Sequence, residues 1–147
     1  MRNETDAVLS EQGRLPKKKV RRAEIETIVD TGAVLMLLPQ ELVEALGLRR
    51  IDKAVVALAD DRKVEMDMAG SIGLTILGRT MVTDCLVGPP GCEPLIGQVV
   101  LERLDLIPDP LKRTLSPRPE SPYLPTLKLK PVRRQAETVA ASLRTAA

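Results

Sequence analysis

Apolar and polar positions alternate along much of this chain with a period of two, and the interruptions fall at turn residues, so the pattern predicts strands joined by tight turns. From Val20 to Val29, Ile25, Thr27 and Val29 alternate against Glu24, Glu26 and Ile28, which predicts one strand. Val34 to Leu38 is wholly apolar and of strand length, and is expected to be buried. Pro39 then opens a helix through Gln40–Leu46, and Gly47 closes it. Residues 53–59 alternate weakly up to Asp60-Asp61-Arg62, a turn signal. Lys63 to Ala69 sets Val64, Met66 and Met68 against Glu65 and Asp67, so residues 54–69 read as a hairpin. A second hairpin is expected from Gly70–Leu77 and Arg79–Val87, turning at Gly78. A short helix is expected at Gln98–Leu104 and a last strand near Lys112–Leu115.

The ends read differently. Residues 1–19 predict a short strand at about Asp6–Leu9 followed by a basic loop, Lys17-Lys18-Lys19. Between Pro108 and Pro131 stand seven of the chain's twelve prolines, which disfavours regular helix or central strand and predicts an extended arm. Arg133 to Arg144 has the composition of a frayed terminal helix. The organisation expected is therefore an N-terminal strand and loop (1–19), one folded domain (20–115) and a Pro-rich basic arm (116–147).

Composition narrows the chemistry. Apolar residues make up 44% of the chain but aromatics only 1%, so the core must be aliphatic and base-stacking platforms for single-stranded nucleic acid are missing. Nucleic acid is accordingly disfavoured as a partner. Residues 1–110 carry 14 Lys/Arg against 18 Asp/Glu, and residues 111–147 carry 8 against 2, so the basic character sits in the arm. The sequence contains no histidine, which excludes Ser-His-Asp and Cys-His hydrolysis. With two cysteines, Cys85 and Cys92, a structural metal site is discounted and no cofactor is expected. Nothing reads as a membrane span or a secretory leader, so a cytoplasmic protein with reduced thiols is expected.

One motif carries chemistry. Ile28-Val29-Asp30-Thr31-Gly32-Ala33 places a carboxylate in a tight turn at the end of an apolar run. Asp often caps such a turn with no further role. Two facing carboxylates, however, share a proton and activate water. The chain contains one Asp-Thr-Gly and no Asp-Ser-Gly, so the second acid would come from a second copy.

Taken in order, Asp30-Thr31-Gly32-Ala33, a helix ending Leu46-Gly47-Leu48, two hairpins, and Leu95-Ile96-Gly97 before a short helix resemble the retropepsin-like aspartic proteases over about residues 20–112. The stretch from Pro94 to Leu106 resembles the bacterial single-domain branch. The resemblance implies a mainly β, single-domain closed β-barrel with one or two short helices, acting as a symmetric homodimer on a peptide or protein substrate. It implies catalytic roles for Asp30, Thr31 and Gly32, and a supporting strand at Leu95, Ile96 and Gly97 behind the catalytic loop. Substrate contacts are implied at Ala33 and at a flap tip formed by Ala59, Asp60, Asp61 and Arg62.

Two departures stand out. Asp61 occupies the place where many bacterial relatives have glycine. Val34 and Gln98 stand where retroviral members have an ion-paired acid and arginine, so both halves of that pair are absent together. Two functions follow as expectations: an aspartic endopeptidase with one Asp30 from each subunit, or a catalytically silent dimer serving as a peptide-binding or regulatory module.

Overall fold

Asn3 decides the start of the chain. The computed structural model describes residues 1–129, and in it the strand expected at Asp6–Leu9 is a helix, α1 (Glu4–Glu11). The Asn3 side chain accepts from the Asp6 amide at 3.0 Å, capping the helix, and Glu4 and Asp6 place negative charge in its first turn. The same side chain donates to the carbonyls of Leu46 and Gly47, at 2.9 and 3.2 Å, which ties α1 to the end of the next helix. The three-residue apolar run Ala7–Leu9 is ambiguous between strand and helix by periodicity alone, and here the cap decides it.

The sheet is built from β1 (Arg2–Asn3), β2 (Ile28–Val29), β3 (Leu37–Pro39), β4 (Arg49–Ala57), β5 (Lys63–Ile76), β6 (Arg79–Gly88) and β7 (Leu95–Ile96). Its order is β1-β5-β6-β3-β7-β2, with β4 also pairing β5. β1 and β2 lie at the two ends of this path, so the sheet is open. The closed β-barrel expected from the family resemblance is therefore corrected: the fold is mixed α/β, with an open seven-stranded sheet and three short helices. The physical reason is a gap in pairing: β1 meets the chain leading into β2 around Arg22, and from Glu24 to Thr27 that chain makes no backbone bond among the described residues.

Pairing follows the two expected hairpins. β4 and β5 run antiparallel from Arg49↔Gly70 to Ala57↔Lys63, with a register shift at Arg50/Asp52, and β5 goes on to pair β6, with a shift between Ala69 and Ile72, as far as Ile76↔Arg79. Leu77 and Gly78 both take left-handed φ, 50° and 76°, as a two-residue hairpin turn requires. The strand expected over Val20–Val29 pairs at its two ends alone: Arg22 bridges antiparallel to Arg2 of β1, with Asn3 donating to Arg21 and Ala23 to Met1, and Ile28–Val29 enters the ladder as β2. The expected last strand appears as β9 (Thr114–Pro117), antiparallel to β8 (Leu106–Asp109).

α2 (Gln40–Ala45) ends as its sequence predicts. Gly47 has φ 61°, its amide donates to Glu44, and the Leu48 amide donates to Val43, the paired bonds of a Schellman end. α2 and α3 (Gln98–Leu104) pack Val43, Leu46, Val100, Leu101 and Leu104 onto Met36, Leu38, Ile72, Ile96 and Cys85 of the sheet layer. Val34 is a second correction: it is 65% exposed, whereas Met36 and Leu38 of the same run are buried. Among the described residues no helix is long and apolar enough to cross a membrane. The terminal helix expected over Arg133–Arg144 lies outside the described residues.

Candidate functional site

Asp30 stands one residue beyond the end of β2, and its backbone is held from behind by β7. β2 and β7 are parallel, with Ile28 opposite Leu95 and Val29 opposite Ile96. The Ile28 amide donates to Pro94 at 2.9 Å and the Asp30 amide to Ile96 at 3.0 Å. The turn then closes on itself: Ala33 donates its amide to the Asp30 carbonyl at 3.2 Å, and Gly32 donates to Asp30 Oδ1 at 2.9 Å. Asp30, Thr31 and Gly32 are all exposed. Asp30 is thus a carboxylate at the molecular surface on a rigid base, with Oδ1 engaged by its own turn.

The loop after the turn is fastened to α3. The first amides of a helix have no partner inside it, and here Gln98 donates to Ala33 at 2.8 Å and Val99 to Val34 at 3.1 Å. Val34 and Gln98, the positions of the absent ion pair, therefore lie on adjoining stretches joined by backbone bonds. Gly97 makes that approach possible. A Cβ built on it would overlap the Ala33 carbonyl oxygen and lie 2.9 Å from the Leu35 oxygen. Its φ of −111° is open to any residue, so the requirement for glycine is close packing.

Leu95, Ile96 and Gly97 are thus brought together with Asp30–Ala33. The other expected cluster is not. Ala59, Asp60, Asp61 and Arg62 form the exposed turn between β4 and β5, and the hydrogen bonds that hold this turn are internal to it. Leu58 donates to Arg62, Asp61 to Leu58, and the Arg62 amide and guanidinium to Asp60. Asp61 takes a left-handed φ of 63°, the conformation glycine would favour, which Asp tolerates better than most residues.

Exposed apolar side chains flank the Asp30 turn on both sides in sequence and on the start of α3. Val34, Ile28 and Val99 are 65%, 46% and 40% exposed, and a groove of about 860 Å³ runs beside β2 between Ile25, Thr31, Ile96 and Leu115. Among the described residues no group of three or more His, Cys, Asp or Glu is arranged to hold a metal ion.

Sequence reading missed a buried polar hub on the far side of α3. Asp105 caps that helix with φ 51°, and its carboxylate accepts from Arg118 Nε at 2.8 Å, from the Thr126 amide at 3.1 Å and from the Ser121 hydroxyl. Those donors, Ser121 first, hold its carboxyl well below the usual carboxylate range. Arg79, also buried, donates to the carbonyls of Leu104, Asp105 and Ser121. The proline pattern announced an arm here but carried no signal of this clasp. A second pair was missed as well: Arg21 grips Asp6 through two guanidinium bonds of 2.7 and 2.9 Å, which lowers the Asp6 carboxyl below its ordinary range.

Compared with family models, with curated proteins and with solved structures, the chain matches none.

Proposed function

We propose that this protein is an aspartic endopeptidase that hydrolyses peptide bonds with a pair of Asp30 carboxylates, one from each of two copies. A single exposed carboxylate does little to a peptide bond. Two of them held about 3 Å apart share one proton, so that one takes a proton from a water as it attacks the carbonyl while the other donates to the developing oxyanion. The observation that carries this reading is the fixed, exposed Asp30 turn: its amide is bound to Ile96, its loop is locked over Gly97, and its carboxylate faces outward.

The exposed Val34, Ile28 and Val99 beside it support a second copy as the source of the second acid, since apolar surface next to a surface acid favours contact with another apolar face. The reading needs no closed barrel, because it draws only on β2, β7 and the start of α3. Digestion of a peptide library by wild type and by Asp30→Asn tests it. The expected result is cleavage by wild type and none by the variant, with sedimentation unchanged. Equal cleavage by both rejects the assignment.

A further inference from the structure

β2 is the last strand of the sheet path; the chain leading into it bonds to Met1 and β1 at Arg21–Ala23 and then, from Glu24 to Thr27, is an unfilled edge. Residues 22–29 alternate exposed and half-buried as a strand does. Yet among the described residues the backbone groups of Glu24, Ile25, Glu26 and Thr27 have no partner. Backbone amides and carbonyls lined up along an edge are satisfied by another extended chain. Beside them runs the groove of about 860 Å³, walled by Ile25, Ile28, Leu74, Ile76, Ile96 and Leu115. The edge therefore asks for a strand with apolar side chains at alternate positions. Its outward face carries Glu24 and Glu26, so the intervening positions of that strand should be basic.

The same edge from a second copy does not fit. Any antiparallel self-pairing centred on residues 24–27 that keeps the apolar side chains on one face sets these glutamates opposite one another, and like charges directly across are destabilising. Thr126-Leu127-Lys128-Leu129 does fit. It has the period of a strand, with both leucines on one face and the lysine on the other. Leu127 and Leu129 are 54% and 95% exposed. Asp105 holds the Thr126 amide, so the clasp built from Asp105, Arg118, Ser121 and Arg79 fixes the chain just ahead of these leucines and presents them outward.

We propose that the Thr126–Leu129 segment of one copy adds as a strand to the Glu24–Thr27 edge of a second copy, with Leu127 and Leu129 in the groove and Lys128 facing Glu24 and Glu26. Exchanged reciprocally, the two strands close a two-fold assembly. The inference deepens the protease reading by supplying an interface for the two copies it requires, but does not depend on cleavage.

Sedimentation velocity of the full chain tests it. Wild type associates. Leu127→Asp/Leu129→Asp, Glu26→Lys and Lys128→Glu each weaken association, the charge reversals on the order of tenfold. An equimolar mixture of Glu26→Lys with Lys128→Glu chains recovers wild-type association, because each edge then meets a strand of opposite charge. A monomeric wild type at 100-fold dilution and at ~100 µM alike, association untouched by these changes, or a mixture no stronger than its components overturns the proposal. A dimer that survives the strand variants and loses cleavage with Asp30→Asn overturns this inference alone. A dimer that the strand variants dissociate, but that cleaves nothing, overturns the protease reading alone.

Discussion

Gly97 lies directly against the carbonyl of Ala33, and its missing side chain is the space that oxygen occupies. Through this contact the end of β7 and the first amides of α3 hold the loop that follows Asp30. Backbone on both sides leaves no flexible side chain to yield, so even one methyl must displace the loop or the helix start.

Gly97→Ala is therefore expected to destabilise the fold by about 1–3 kcal/mol, the range of core overpacking, and to loosen the Asp30 turn. Urea unfolding with an unchanged slope and a lowered midpoint checks the first effect. Hydrogen exchange of the Gln98 and Val99 amides, which donate to Ala33 and Val34, checks the second. Gln98→Ala, at an exposed neighbouring position, should change stability by less than about 0.5 kcal/mol.

Leu38→Ala and Val34→Ala separate the two halves of one apolar run. Leu38 has no exposed surface, and its truncation leaves a cavity costing about 2–5 kcal/mol. Val34 is 65% exposed, and its truncation should fall within about 0.5 kcal/mol in the isolated chain. Denaturant midpoints of the two variants give the comparison; equal losses would mean that Val34 is covered in solution.

The residues that announced themselves in the sequence were those whose conformation is chosen locally. The Asp60–Arg62 turn, the Leu77-Gly78 turn and the Gly47 helix end were all legible, because a few neighbouring residues decide each of them. So was the placement of Asp30 at the end of an apolar strand. What was not legible depends on partners far along the chain. The parallel pairings of β2 with β7 and of β3 with β6 set the order of the sheet, and no local pattern encodes them; the first follows only from the family resemblance, which sets Leu95–Gly97 behind the Asp30 loop. Val34 departs from the expected burial because hydrophobicity fixes only that a side chain seeks cover: its carbonyl is bonded to Val99 while its side chain is 65% exposed. The helix at Glu4–Glu11 is not legible because its cap, Asn3, sits outside the apolar run whose pattern predicts a strand. Asp105 has left-handed φ without being glycine, and its donors come from residues 118–126, so nothing near it in sequence marked it as the centre of a clasp.

Asp105 predicts an acid limit to stability. Its carboxyl is lowered from an ordinary value of 3.8, so its contribution is present above that pH and is lost as pH falls toward the folded value. Asp105→Asn keeps an acceptor oxygen but loses the charge that Arg118 and Ser121 bind, and should be less stable than wild type at pH 7. The gap between the two should narrow steadily below pH 3.8, where the unfolded wild-type chain takes up a proton that the folded carboxylate does not. Midpoints of thermal unfolding from pH 7 to pH 2 measure this; a gap that stays constant over the range would mean the charge contributes nothing.

Cys85 and Cys92 predict opposite reactivity in the folded chain. Both are free thiols, but Cys85 is buried in the core beside Ala69, while Cys92 is half-buried with its sulfur against Gly88. Burial, reinforced by the neighbouring Asp84 carboxylate, pushes the Cys85 thiol from 9.0 up to about 12. Only the thiolate reacts, and Cys92 is raised too, by burial and the Glu41 carboxylate, so iodoacetamide at pH 8 should label Cys92 slowly in the native protein and reach Cys85 only when the chain opens. The same shift has a stability consequence with a definite sign. Below pH 9 the thiol is protonated in both folded and unfolded chains, and the contribution of the folded environment is fully present. Between pH 9 and 12 the unfolded chain releases the proton while the folded chain retains it, so stability falls as pH rises. Cys85→Ala removes this dependence at the expense of a small cavity. Wild type should therefore lose stability relative to Cys85→Ala as pH is raised from 9 to 11, and native labelling of Cys85 as fast as Cys92 would contradict its place in the core.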